Sequence, residues 1–394
     1  MIWRSSSNTS YTQGNIYKIA GTTGSFGFSG DGGPAVSALL GTITGICKDS
    51  SGRIFIADQG FQRIRMFTIG GNISTVAGTG TFGYNGDGIP ATSAFLSSPQ
   101  GVFADSSNAI YVAESARVRR FRVGGNVSTV AGTGVQGFSG DGGLATSAQI
   151  VPYSFYIDNA GNVYMTEPNN NRIRKFREGG NISTIAGTGS AVYTGNGASA
   201  TLARFDAPRG IFIDNATGDI YIADTNNNFV RKIDGTTKII SSIAGIASSS
   251  GGTANGTAGG TAASYNGDNR SAISATTNTP LSVIKDNSGN FYFTEGSGQR
   301  IRKINSSGII STIAGTNAGY SGDGSSASSA ALNGPQAISF AATPQGPMYY
   351  IADTQNNAIR RVLDHSFFIA HRAECLFWDF RGARKPRYSL FFTL

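Results

Sequence analysis

The chain repeats itself, and the period decides what it can fold into. A short string, Ile/Val-Ala-Gly-Thr, returns at residues 19–22, 76–79, 130–133, 185–188 and 313–316, with the variant Ile-Ala-Gly-Ile at 243–246. The alanines of these strings are 57, 54, 55, 58 and 70 residues apart. Between them lies a second signal. Short apolar runs end in an acid at Asp58, Glu114, Glu167, Asp224, Glu295 and Asp353. A basic run follows each acid, as in RIRMF from Arg63, RVRRF from Arg117, RIRKF from Arg172, VRKI from Val230, RIRKI from Arg300 and IRRV from Ile359. Six acids and six basic runs define six units.

Each unit reads as four short strands, a to d. In the third they fall at residues 154–158, 162–166, 172–177 and 182–186, rich in Ile, Val, Tyr and Phe and divided by Gly, Asn and Asp. No strand is long enough to bury a core alone, so units stacked radially must cover one another's faces. The last unit supplies a (336–341), b (348–352) and c (358–363), but no Ala-Gly-Thr strand follows it. One such strand, residues 16–20, stands unpaired at the start of the chain. It predicts a ring closed by the first strand entering the last sheet, which removes an open edge.

The pattern resembles the NHL-repeat family of β-propellers. The resembling segments are GRIFIAD (52–58) and GDIYIAD (218–224), N-x-RIRK (170–175), and G-x-IST-IAGTG (180–189). The resemblance covers residues 15–363 and implies an all-β, six-bladed propeller. Residues 364–394 break the repeat with an aromatic and basic tail, read as an interaction peptide or a misread exon boundary. The glycine-rich, low-complexity insert at 247–263 reads as a flexible loop.

Composition removes several function classes. The only two histidines, His365 and His371, lie in the tail, so the repeats have no His-based metal site and no Ser-His-Asp triad. The two cysteines, Cys47 and Cys375, are far apart and read as free thiols. Two Gly-x-Gly-x-x-Gly matches, at 78–83 and 132–137, are by-products of the repeat, because no helix follows them. No apolar run reaches the ~18 residues of a membrane span, and the start lacks the apolar stretch of a signal peptide. A cytoplasmic location is therefore the default expectation, with a fragment of a larger protein as the alternative.

Site expectations follow from topology. Antiparallel strands put the d–a and b–c connections on one side of the disc. The d–a connections are long and most carry an aromatic-x-Gly-Asp-Gly string, so this side is the expected ligand face. Its aspartates are Asp31, Asp87, Asp141 and Asp323, with Asp268 in a related string. Calcium binding is one reading, but one acid per loop favours an Asp that caps its own turn. The acids ending strand b are expected to pair with the arginine five positions on, bracing the b–c turn: Asp58 with Arg63, Glu167 with Arg172, Glu295 with Arg300. Phe229 and Ala358 break that pattern in units four and six, and a shorter turn alters it at Arg117. Fifteen Lys and Arg residues on the six c strands form a basic stripe. It is placed at the outer rim as solvated charge, with single-stranded RNA binding as the weaker reading.

Near-identical units favour a non-catalytic binding or scaffold propeller, because catalysis needs asymmetric placement of particular groups. A protein, peptide or glycan is the expected partner, no cofactor is expected, and a ring that closes on itself is expected to be a monomer. The alternatives are a metal-dependent hydrolase- or lyase-like propeller enzyme and an RNA-binding propeller.

Overall fold

A computed structural model describes residues 3–4, 10–12, 14–191, 193–246, 265–343 and 346–363. The expectations for the 247–263 insert, for the tail and for Cys375 lie outside these residues. Cys47 is a buried free thiol.

The described chain folds into six antiparallel blades, each with strands in the order a-b-c-d; blade five adds the short strand Arg270–Ser271 beside its strand d, and Trp3–Arg4 pairs separately with Ser10–Tyr11. Blade one has strands Ile43–Lys48, Ile54–Asp58, Arg63–Phe67 and Ile73–Ala77. Blade three has Phe155–Ile157, Asn162–Glu167, Arg172–Arg177 and Ser183–Ala186, within one or two residues of expectation. Blade six has Pro335–Thr343, Gly346–Asp353 and Ala358–Leu363, and its fourth strand is Ile16–Ala20 from the start of the chain. The closing register pairs Ile359 with Ala20, Arg360 with Lys18, Arg361 with Tyr17 and Val362 with Ile16. The ring therefore closes as the repeat count requires. Ile19 and Ala20 join Ile46, Ile54 and Ile56 of blade one and Tyr350, Ala352 and Ile359 of blade six in one buried cluster.

Burial grades outward along each blade. Strand b of blade one is buried at every position because neighbouring blades cover both its faces. Strand d, further out, alternates between buried and partly exposed. That gradient explains why the b strands read as continuous apolar runs and the d strands carry Ser and Thr. The invariant glycine of the Ala-Gly-Thr string has a steric cause. Gly78 has φ +91, and a Cβ there would stand 2.2 Å from the Gln62 carbonyl oxygen. Among the described residues, no helix is long and apolar enough to cross a membrane.

The d–a connections do not stand up from the disc. Each runs down the outer edge of the next blade and pairs with the beginning of its strand d. In blade one, Gly32 N donates to Ile73 O at 2.8 Å and Ile73 N donates to Gly33 O at 2.9 Å. A short 3-10 turn, Ala35–Ser37, then ties back to the preceding blade, with Gly21 N donating to Ala35 O at 2.9 Å and Thr22 N to Ala38 O at 2.8 Å. The glycine-to-alanine bond recurs in the other five straps, at Gly78, Gly132, Gly187, Gly245 and Gly315. Each connection is thus a strap that covers an otherwise bare strand edge.

Candidate functional site

The buried charges come first, because they decide which polar groups remain for a ligand. One arginine on each c strand is fully buried: Arg65, Arg119, Arg174, Arg231, Arg302 and Arg360. In blade three, Arg174 donates from Nε and Nη2 to Asp141 Oδ1 at 3.0 and 2.6 Å. It also donates to the carbonyls of Gln149 at 3.1 Å and Ser139 at 2.8 Å. Asp87, Asp268, Asp323 and Asp31 hold Arg119, Arg302, Arg360 and Arg65 at 2.8, 3.2, 2.9 and 2.6 Å. In blade four Asn196 takes the aspartate's place, accepting from Arg231 at 3.1 Å. The second oxygen of Asp31 accepts from the backbone and hydroxyl of Thr75 on strand d.

On its other side each buried arginine meets the acid that ends strand b. The separations are 3.7 Å for Glu114–Arg119 and Glu167–Arg174, 3.2 Å for Asp224–Arg231, 3.4 Å for Glu295–Arg302 and 3.3 Å for Asp353–Arg360. Blade one differs: Asp58 accepts from Gly41 N at 3.3 Å. Burial pushes these carboxyls up, against the opposing pull of the arginines and of backbone or side-chain donors. Asp58, Asp224 and Asp353 reach about 6, Glu114 and Glu167 about 7, and Glu295 is raised as well.

Three expectations need correction. The basic stripe is not uniformly solvated, since six of its fifteen members are fully buried. The motif aspartates do not cap their own turns; they reach out of the strap to the buried arginine of the adjoining blade, and Asp31, Asp87 and Asp268 also to a strand-d threonine. The strand-b acids form ion pairs seven residues on, at Arg174 and Arg302 in place of Arg172 and Arg300, and only the shorter turn of blade two gives a spacing of five. Arg63, Arg172 and Arg300 do brace the b–c turns, but through carbonyls. They donate to Phe61 O at 3.0 Å, Asn170 O at 3.1 Å and Gly298 O at 2.7 Å. Their guanidinium groups lie over the motif aromatics Phe28, Phe138 and Tyr265 at 3.7, 3.8 and 4.3 Å. The sequence reading also missed the alanine pair that seats each strap, such as Ala35 and Ala38, both buried. Its recurrence three residues apart after every Gly-Asp-Gly string was the available signal.

With those groups committed internally, the central channel remains. Strand a of every blade lines a cavity of about 260 Å³. At the same position at the b–c end of strand a, the blades carry Thr44, Gln100, Tyr153, Arg209, Leu281 and Gln336; Thr44, Tyr153, Leu281 and Gln336 line the cavity, and Gln100 and Arg209 adjoin Thr44 and Tyr153. These six equivalent positions carry dissimilar side chains, unlike the near-uniform c strands. The Tyr153 hydroxyl meets Gln336 Oε1 at 3.4 Å, linking blade three to blade six across the ring. The Thr44 hydroxyl donates to the Gln100 carbonyl at 2.8 Å. The guanidinium of Arg209 sits 5.0 Å from the centre of the Tyr153 ring, and burial raises the Tyr153 hydroxyl. At the other end, Lys285 pairs with Asp214, and Phe103, Tyr156 and Phe212 meet edge to face. Among the described residues, no three His, Cys, Asp or Glu side chains converge as a metal site would require.

Six blades, each built on four antiparallel strands around this channel, define a β-propeller. No protein-family model matches the chain. NHL repeat-containing protein 2 of Bos taurus is 27% identical over 349 residues, 80% of this chain and 45% of that protein. Teneurin-1 of Gallus gallus is 28% identical over 263 residues, 60% of this chain and 9% of that protein. The chain spans less than half the length of these curated relatives. Among solved structures, a Bacteroides thetaiotaomicron protein described as of unknown function superposes with a TM-score of 0.62 at 17% identity, over 88% of this chain and 75% of that one. A gluconolactonase from Xanthomonas campestris gives a TM-score of 0.51 at 10% identity, over 82% and 86%. At such identities these structures speak for the fold alone. Repeat and fold together make the chain a six-bladed β-propeller whose repeats are similar to those of NHL repeat-containing protein 2.

Proposed function

We propose that this propeller is a non-catalytic binding module that holds a protein, peptide or glycan over the channel mouth on its b–c face. The carrying observation is the contrast between repeat positions. Those that recur, such as the buried arginines and the strap aspartates, are consumed in holding blades together. Those that vary from blade to blade line the mouth, where side-chain differences can discriminate between ligands. Burial of six strand-c arginines also reduces the basic surface available to RNA.

The test is an array of peptides and glycans probed with the wild type and with a Gln100→Ala/Arg209→Ala/Gln336→Ala variant. Loss of the wild-type hits in the variant, with unchanged melting, supports the reading. Hits that survive the triple substitution overturn it. A calcium titration by calorimetry addresses the enzyme alternative, since tight binding at one site per chain would favour a metal-dependent propeller.

A further inference from the structure

The geometry points to Arg209 as the receptor of a carboxylate carried by an acidic side chain of a peptide or protein ligand. This inference rests on the channel mouth being the binding site.

Its basis is a contrast with the six fully buried arginines of the c strands. Five of the six buried strand-c arginines have a carboxylate within ion-pair distance on both sides or on the strap side, and the sixth has a carboxylate and an amide. Arg209 has none among the described residues. Its Nε is buried and makes no hydrogen bond, and its ring contact is with Tyr153. A guanidinium partly withdrawn from water without a counter-charge is costly, and a carboxylate that accepts from its planar fork offsets that cost. The residue is partly exposed at the mouth, so an incoming anion has access to it.

The surroundings select the ligand class. Gln336 and Gln100 each offer an amide donor and acceptor, which match the N–H and C=O of a peptide. The Tyr153 ring already carries the guanidinium of Arg209. A sugar ring would have to displace that guanidinium to stack on the same face.

Fluorescence anisotropy with labelled hexapeptides, amidated at the C-terminus and bearing a central Glu or a central Gln, tests this. The Glu peptides are expected to bind about tenfold or more tightly, and the preference is expected to fall as salt rises. Arg209→Gln should erase the preference without moving the melting temperature, and Arg209→Lys should keep part of it. An equal preference in wild type and Arg209→Gln overturns the inference, as does binding by a uronic-acid oligosaccharide alone or by no probe at all. If Gln peptides still bind and Gln100→Ala/Gln336→Ala weakens them, the mouth stands as the site and only the carboxylate assignment falls. If neither variant alters any binding, the mouth itself is wrong.

Discussion

Replacing Arg174 by Met removes the cation at the centre of blade three while keeping most of its volume. The loss has three parts. Two hydrogen bonds to Asp141 disappear, and so do two to the Gln149 and Ser139 carbonyls. Glu167, fully buried, is left without its arginine. Removing one partner of a buried ion pair costs about 3–5 kcal/mol. For a ring of roughly 350 residues, an unfolding entropy of about 2.1 cal/mol/K per residue converts this to a drop of about 4–7 °C in melting temperature. Asp141→Asn should behave differently. Blade four already holds its arginine with an amide, Asn196 at 3.1 Å, so this substitution should cost no more than about 1 kcal/mol. The Arg174→Met defect should also shrink on acidification, because a lone buried Glu167 must take a proton and does so more readily at pH 5.5 than at pH 8. Chemical denaturation at both pH values reads all three quantities. Equal damage from both substitutions, or a silent Arg174→Met, would refute the view that these clusters clamp the straps.

The wild type should itself grow more stable as pH falls from 8 to about 5. The raised folded values of about 6 to 7 lie above unfolded carboxylate values near ~4, so the folded state holds more protons in that window. The gain is lost as pH rises through the folded values. Below about pH 4 the turn carboxylates with lowered values, Asp158 and Asp219, act in the opposite sense. A melting temperature that declines steadily from pH 8 to 5 would contradict this. Removing residues 1–20 strips the last blade of its outer strand and exposes what Ile16 and Ile19 cover; these two side chains alone account for about 3–6 kcal/mol. Against a total stability of about 5–15 kcal/mol, cooperative unfolding by circular dichroism should be lost or its midpoint lowered sharply, and an unchanged midpoint would show that the ring closes elsewhere. Gly78→Ala should destabilise far more than Gly52→Ala. Both have positive φ and share the ~1–2 kcal/mol strain of an L residue there, but only at Gly78 would the new methyl meet a carbonyl at 2.2 Å. Equal melting temperatures would remove the steric explanation of the repeat's glycine.

The architecture was legible because its determinants are local and repeated. Apolar runs of four to six residues, turn residues at fixed offsets and one orphan strand such as residues 16–20 are visible without coordinates. The charge clusters were not, for two reasons. Asp141 and Arg174 are 33 residues apart and meet only because the strap doubles back along strand d. Arg172 and Arg174 lie two positions apart and share a side of the pleated strand, so neither spacing nor alternation could choose the partner of Glu167. The mouth residues leave no mark in the repeat because they do not recur. Thr44, Gln100, Tyr153, Arg209, Leu281 and Gln336 are informative only as differences, and their common depth in the channel becomes evident once the a strands are aligned in space.

Closure by the first strand fixes where the polypeptide joins the disc. Gly14 N donates to Leu363 O at 2.8 Å, so the incoming and outgoing segments touch at a single corner. Flanking sequence on both sides would leave from that one point, and the disc would hang beside a longer chain like a pendant. Tension between the flanks would load the seam from its end, breaking the Gly14–Leu363 bond first and then separating Val362 from Ile16, so the ring would peel open pair by pair.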